Sequence, residues 1–226
     1  MPKNAPSIKM ENTKKYGAEI VIYDSMHESR EKIASEIARK ENKTIIKPYD
    51  DLDVIAGQGT VGKEIAEELK LINIYPDIYL CCCGGGGLIA GSSTYLKHAF
   101  PNMKNFAVEP EEFNDTQLSL KNSSFVKNKE SGESICDALL AHQPGNVTFP
   151  INQTTLSGGL SVSDEEVQKT IIELAENMKI VAEPGGAVAA TALLTNKINV
   201  KNKNVVVMIS GGNIDYKLFS SIIRNC

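Results

Sequence analysis

Residues 78–91, IYLCCCGGGGLIAG, constrain this chain more than any other stretch. A short apolar, β-prone run ends in Gly84, Gly85, Gly86 and Gly87, and an apolar helix-like segment begins at Leu88. The order predicts strand, glycine loop, helix. Four glycines leave no side chains between backbone N–H groups and a ligand, and the loop opens on a helix N-terminus whose partial positive charge favours an anion. A phosphate is the expected occupant. The competing reading is a tight turn that needs positive φ, although one or two glycines serve a turn. A nucleotide P-loop is not expected, because Leu88-Ile89-Ala90 stands where Gly-Lys-Ser/Thr would close it. A dinucleotide fingerprint fits loosely, through Gly84, Gly86 and Gly91 with Glu109 as the only acid at the required distance.

The chain has 226 residues, room for one large or two small domains with a real core. Its net charge of -4 and scattered Lys and Arg argue against a nucleic-acid surface. No apolar run reaches transmembrane length and the first residues lack the order of a signal peptide, so a cytoplasmic protein is expected, with no membrane partner. Cys81, Cys82 and Cys83 alternate in direction along a strand and cannot share one metal. With Cys136 and Cys226 they read as small buried apolar residues in a reducing compartment.

Along the chain, Ser7 is expected to cap a helix reaching Tyr16 and closed by Gly17. Short strands are expected at 20–23 and 44–47, separated by a helix bearing Met26, Ile33, Ala34, Ile37 and Ala38 on one face. VIAGQGT at 54–60 enters a helix to about residue 70. A helix follows the glycine loop, a strand covers 105–108, and residues 121–132 form a polar surface excursion. Ser163 and Glu166 make a capping box ahead of Val167, Ile171, Leu174 and Met178 on one helix face. A helix at 187–194, a strand at 205–209 and a final helix complete the alternation, which predicts an α/β fold with a mainly parallel sheet covered on both faces. Ligands in such sheets sit outside the carboxyl ends of the strands, so the turns at Gly84 and Gly211 are expected to face one site.

Five motifs appear in order: VIAGQGT, GGGGLIAG, VEPE at 108–111, AEPGGA at 182–187 and SGGN at 210–213. Together they resemble the pyridoxal-phosphate enzymes of the threonine/serine dehydratase and serine racemase family, a two-lobed fold type II. The resemblance implies that residues 1–50 are what remains of the small lobe and 51–226 the large, cofactor-binding lobe. It implies backbone N–H groups of Gly84, Gly85, Gly86, Gly87 and Leu88 on the cofactor phosphate, and the Ser210 hydroxyl on the pyridine nitrogen. A hydroxyl is too weak an acid to keep that nitrogen protonated, which suits β-elimination. Alone, Ser210 before two glycines is equally a turn residue. Glu183 resembles the family's acid near the cofactor ring, or is a helix N-cap or surface acid. Glu109 and Asp115, with the Phe113 carbonyl, match a divalent-cation site for Mg²⁺, Ca²⁺ or Mn²⁺, or form a solvated loop.

The family's Ser-Phe-Lys motif, which carries the Schiff-base lysine, and its Ser-x-Gly-Asn-His loop do not occur. Both are expected upstream of Met1, so the chain resembles an enzyme lacking its first segment, inactive by itself. Asp137-Ala138 stands where many relatives have Asp-Gly. The expected reaction of the intact enzyme turns L-threonine or L-serine into a 2-oxo acid and ammonia. Serine racemase and hydroxyaspartate dehydratase share every motif, and a non-catalytic phosphate-binding fragment or partner subunit is the reading from another class. A small amino acid is the expected ligand, and homo-oligomer formation stays open.

Overall fold

The computed structural model describes every residue except 25, 26, 130, 225 and 226. In chain order the elements are α1 (Ser7–Lys15), α2 (Arg30–Glu41), α3 (Leu52–Leu71), β1 (Ile78–Cys82), α4 (Gly87–Ala99), β2 (Lys104–Pro110), α5 (Asp115–Asn122), α6 (Thr148–Thr155), β3 (Gly158–Val162), α7 (Asp164–Glu173), α8 (Pro184–Leu194), β4 (Val205–Val207) and α9 (Tyr216–Arg224). They divide into two compact units, one made of Met1–Lys47 with Asn213–Cys226, the other of Pro48–Gly212.

The larger unit is built around β1. Successive side chains of a strand point to opposite faces, and every residue of β1 is buried, so both faces are covered. The sheet has the order β3-β2-β1-β4 and all its pairs are parallel, with Leu80 opposite Phe106 on one side and Val207 on the other. Parallel neighbours require crossovers, and helices supply each of them. Helix α8, whose PGGAVAATALL sequence is small and apolar, is buried from Pro184 to Ala192 and packs on β1, β2 and β3. Small residues also let α3 and α4 touch backbone to backbone: a Cβ on Gly62 would stand 2.5 Å from the Ser92 carbonyl oxygen. Tyr79, wholly buried, donates its hydroxyl proton to Ser92 Oγ at 3.1 Å, so the one polar tip on β1 is satisfied.

In the smaller unit Ser7 does not cap α1. Pro6 is the N-cap, and the Ser7 hydroxyl instead donates to Asp215 Oδ2 at 2.7 Å. The strands expected at 20–23 and 44–47 do not form. A strand needs a hydrogen-bonded neighbour, and among the described residues the first makes only a single bridge, Pro2 with Tyr23, and the second makes none. Helix α2 forms as its periodicity predicts, with Ser29 capping Lys32 N–H; Met26, assigned to its apolar face, lies outside the described residues.

Other departures have local causes. VIAGQGT lies inside α3 and not at its entrance, because Asp51 caps the helix by accepting from Asp53 and Val54 N–H. The Ser163–Glu166 capping box is present, and Val167, Ile171 and Leu174 are buried, but Met178 is exposed. The last turn, Leu174–Met178, is π-helical, and its extra residue rotates Met178 off the buried face. Strand β3 and helices α5 and α6 were not anticipated: β3 opens with two glycines, and the two helices have eight residues each, too short for a clear periodicity. Among the described residues no helix is long and apolar enough to cross a membrane.

Two glycines of α3 should respond oppositely to alanine. A Cβ on Gly57 meets nothing, so Gly57→Ala should raise stability by about 0.5–1 kcal/mol through helix propensity. Gly62→Ala should lower it by about 1–3 kcal/mol by forcing α3 from α4. Denaturant melts of both variants check the contrast.

Candidate active site

The glycine loop joins β1 to α4 as expected. Gly86 is the N-cap of α4 and sits at φ 89°, a conformation that glycine adopts without a Cβ penalty. None of the backbone N–H groups from Gly84 to Leu88 has an acceptor among the described residues, although Gly85, Gly86 and Gly87 are buried. Buried N–H groups without an acceptor are rare and costly. A row of them at a helix N-terminus is the donor set that a phosphate dianion needs.

The carbonyl side of the same loop is tied to the protein. Gly85 O accepts from Thr148 Oγ1 at 2.7 Å and from Gly145 N–H at 3.4 Å. Gly86 O accepts from Ala90 N–H at 2.9 Å and, at 3.5 Å, from Asn152 Nδ2. Thr148 and Asn152 are fully buried on one face of α6. The missing side chains also admit other parts of the protein. A Cβ on Gly85 would stand 2.3 Å from three atoms of the Tyr49 ring, one on Gly87 would stand 2.8 Å from Tyr49 Cβ, and one on Gly84 would press on Ala138 and Leu139. Protein packing therefore requires these glycines, whatever ligand the N–H groups bind.

The second turn ends β4. Ser210 is exposed, and its Oγ accepts from the buried Cys82 thiol, at the end of β1, across 3.1 Å. Parallel pairing of β1 with β4 brings the two together from positions 128 residues apart. Glu183 is the N-cap residue of α8, yet its side chain makes no capping bond; a Cβ on Gly211 would stand 2.4 Å from its Oε1, and its N–H donates to Gly211 O at 2.9 Å. Glu183 thus belongs to the Ser210–Gly211 turn. Burial pushes the Cys81 and Cys83 thiols well above the ordinary range and Cys136 up to about 12, so these are protonated, inert side chains. No disulfide joins them; Cys226 lies outside the described residues.

At the end of β2, Glu109 is fully buried and accepts from Thr116 N–H at 3.0 Å and Gln117 N–H at 2.8 Å, the first turn of α5. Asp115 Oδ1 accepts from Asn128 Nδ2, whereas Asp115 Oδ2 is buried with no hydrogen-bond partner. Burial, then the neighbouring Asp115, pushes Glu109 well up, and burial raises Asp115 to about 7. Phe113 is buried in the turn between them. Two buried carboxylates with one orphaned oxygen fit a divalent cation, and the solvated-loop reading does not survive for Glu109 or Asp115. Among the described residues no three His, Cys, Asp or Glu side chains gather as a metal cage, so any further ligands would be carbonyls or water.

Tyr49, Thr148 and Asn152 were not singled out from the sequence, and Cys82 was read only as a small buried apolar residue. A weak signal existed for one pair: Thr148 and Asn152 are four residues apart and so share a helix face.

A parallel sheet with glycine turns at the carboxyl ends of two neighbouring strands defines an α/β protein whose two turns lie at one edge of the sheet. Residues 1–211 match the family described as pyridoxal-phosphate dependent enzyme, and the chain belongs to that family. It is 40% identical to serine racemase of Schizosaccharomyces pombe, over 99% of this chain and 68% of that protein. It is 38% identical to L-threo-3-hydroxyaspartate ammonia-lyase of Saccharomyces cerevisiae, over 99% of this chain and 67% of that one. The crystal structure of T.th. threonine deaminase superposes with a TM-score of 0.84 at 31% identity, covering 92% of this chain and 67% of the other. The chain thus spans about two thirds of the length of these relatives.

Two measurements test the site. Gly85→Ala should destabilise the protein by about 1–3 kcal/mol, and Tyr49→Ala in the same chain should recover part of that loss, since the Tyr49 ring fills the space. Additive losses in denaturant melts would show that ring and loop do not compete. For Asp115 the folded pKa is above the unfolded one, so the folded state binds the extra proton and stability should fall as pH rises from about 4 to about 7. Asp115→Asn should flatten that part of the metal-free stability profile.

Proposed function

We propose that Gly84, Gly85, Gly86, Gly87 and Leu88 hold the phosphate of pyridoxal phosphate, and that the whole protein is an ammonia-lyase acting on L-threonine or L-serine. The observation that carries this reading is the run of backbone N–H groups from Gly84 to Leu88 with no acceptor among the described residues, in a chain of this family. Pyridoxal phosphate, when bound, supplies the electron sink that makes the amino acid Cα–H acidic enough to remove. The residues of this chain supply the rest of the holding. Ser210 accepts a hydrogen bond from Cys82, which leaves its own O–H to donate to the ring nitrogen. Because a hydroxyl does not transfer that proton, the sink stays modest, which suits loss of a β-hydroxyl. Glu183, against the Gly211 backbone, is assigned to the ring end of the same site.

In this reading residues 1–50 belong to the small lobe and 51–226 to the large one. Glu109, Asp115 and the Phe113 carbonyl bind Mg²⁺, Ca²⁺ or Mn²⁺, which would neutralise the buried carboxylates. Four free buried cysteines are in keeping with a cytoplasmic location. Homo-oligomer formation belongs to the same reading of the family. The identity to a serine racemase favours racemisation as the second reading.

Pyridoxal phosphate should bind the chain and be displaced by inorganic phosphate, as read by calorimetry. Turnover separates the chemistries: 2-oxobutyrate or pyruvate from L-threonine or L-serine supports the lyase, D-serine from L-serine the racemase, and oxaloacetate from hydroxyaspartate the reaction of the hydroxyaspartate relative. Residues 1–226 alone are expected to bind without turnover, because the Ser-Phe-Lys motif is absent from them. Millimolar Mg²⁺, Ca²⁺ or Mn²⁺ should raise the thermal midpoint, and Glu109→Gln should remove most of the rise. An unchanged midpoint with all three ions would remove the cation from the proposal.

A further inference from the structure

The loop that offers its N–H groups to the anion has no side chains of its own with which to fix their direction. A trans peptide group settles this through its other end, because C=O and N–H on one peptide plane point in opposite directions. Whatever holds the carbonyl of one residue therefore aims the N–H of the next. The Gly84 carbonyl is held by the Cys83 thiol at 3.6 Å, a weak bond, and the Gly86 carbonyl belongs to the first turn of α4 through Ala90 N–H at 2.9 Å. The peptide between Gly85 and Gly86 lies between these two, outside the helix. Its carbonyl accepts a short bond from Thr148 Oγ1, 2.7 Å, and a long one from Gly145 N–H, 3.4 Å.

Thr148 is placed for this by its surroundings. It is fully buried and begins α6, and the residue before it, Val147, donates its N–H to Asp50 Oδ1 at 2.7 Å. A Cβ on Gly145 would stand 2.5 Å from Asp50 Oδ1 and 2.6 Å from Thr148 Oγ1, so carboxylate, hydroxyl and loop backbone are in close contact. The Thr148 hydroxyl has one proton, and the Gly85 oxygen is the nearer of its two acceptors, the other being Gly145 O at 3.4 Å.

We propose that Thr148 is a positioning residue for the anion: by holding the Gly85 carbonyl it aims the Gly86 N–H, in the middle of the donor row, away from α6 and at the bound phosphate. The inference rests on the phosphate-loop reading and adds to it a side chain that never touches the ligand. Gly86 occupies a left-handed conformation that glycine enters and leaves at little cost, so without the hydroxyl this peptide has only the long Gly145 N–H bond to resist rotation.

The test uses the ¹⁵N-labelled chain, titrated first with inorganic phosphate and then with pyridoxal phosphate, following the amide signals of residues 84–88. The Gly86 amide proton should move downfield with the phosphate dianion. Thr148→Val, close in shape but without the hydroxyl, should weaken phosphate binding roughly tenfold and abolish the Gly86 response while the Gly84 and Gly87 responses persist. Thr148→Ser should restore both. A folded Thr148→Val chain with unchanged affinity and an unchanged Gly86 shift would overturn the positioning role and leave the loop reading standing. Should no amide from 84 to 88 respond in the parent chain, the loop reading and this inference fall together. If Thr148→Val does not fold, the parent decides: a Gly86 amide that stays still while Gly84 and Gly87 move overturns the proposal.

Discussion

Burial of β1 on both faces is the constraint on which the larger unit depends. A strand with no solvent side must lie inside the sheet with helices above and below it, and its neighbours β2 and β4 then run parallel through helical crossovers. Parallel strands share one carboxyl edge. Gly84 follows β1, Glu109 ends β2 and Ser210 follows β4, so the topology that covers an apolar strand also collects the three candidate ligand-binding groups at one edge. The Cys82–Ser210 hydrogen bond is direct evidence of that convergence.

The glycine loop meets two demands. It is packed against Tyr49 and Asn152 too closely for a Cβ at Gly85, Gly86 or Gly87 without a shift, and on its N–H side it presents donors that have no acceptor among the described residues. The same division appears at the end of β2, where Glu109 satisfies the first N–H groups of α5 while Asp115 keeps one buried oxygen without a partner. Both places hold polar groups out of water and leave part of their hydrogen-bonding capacity unused, which folding alone does not reward.

The parts of the fold legible in the sequence were those with strong local pattern. The β1–loop–α4 unit, the Ser163 capping box and the alternation that implies a parallel sheet all formed as expected. Weak or short pattern misled: residues 20–23 and 44–47 have strand composition but lack a ladder partner among the described residues, and Met178 follows the helical period but leaves the buried face at a π turn. The glycine run by itself named Gly84 to Gly87, whereas Leu88, Ser210, Glu183, Glu109 and Asp115 came from the resemblance that the five ordered motifs carry.

What surrounds those residues had no such stretch to be read from. The Tyr49 ring reaches Gly85 from 36 residues away in the chain, Thr148 reaches it from 63, and Cys82 reaches Ser210 from 128. Local propensity and motif order, which are properties of neighbouring residues, were enough to give a strand-to-helix glycine loop in a parallel α/β fold of the pyridoxal-phosphate family. Only the tertiary structure decided which side of that loop is packed and which is left with free donors, because the direction of a glycine peptide is set by hydrogen bonds and close contacts from elements that the sequence keeps far apart.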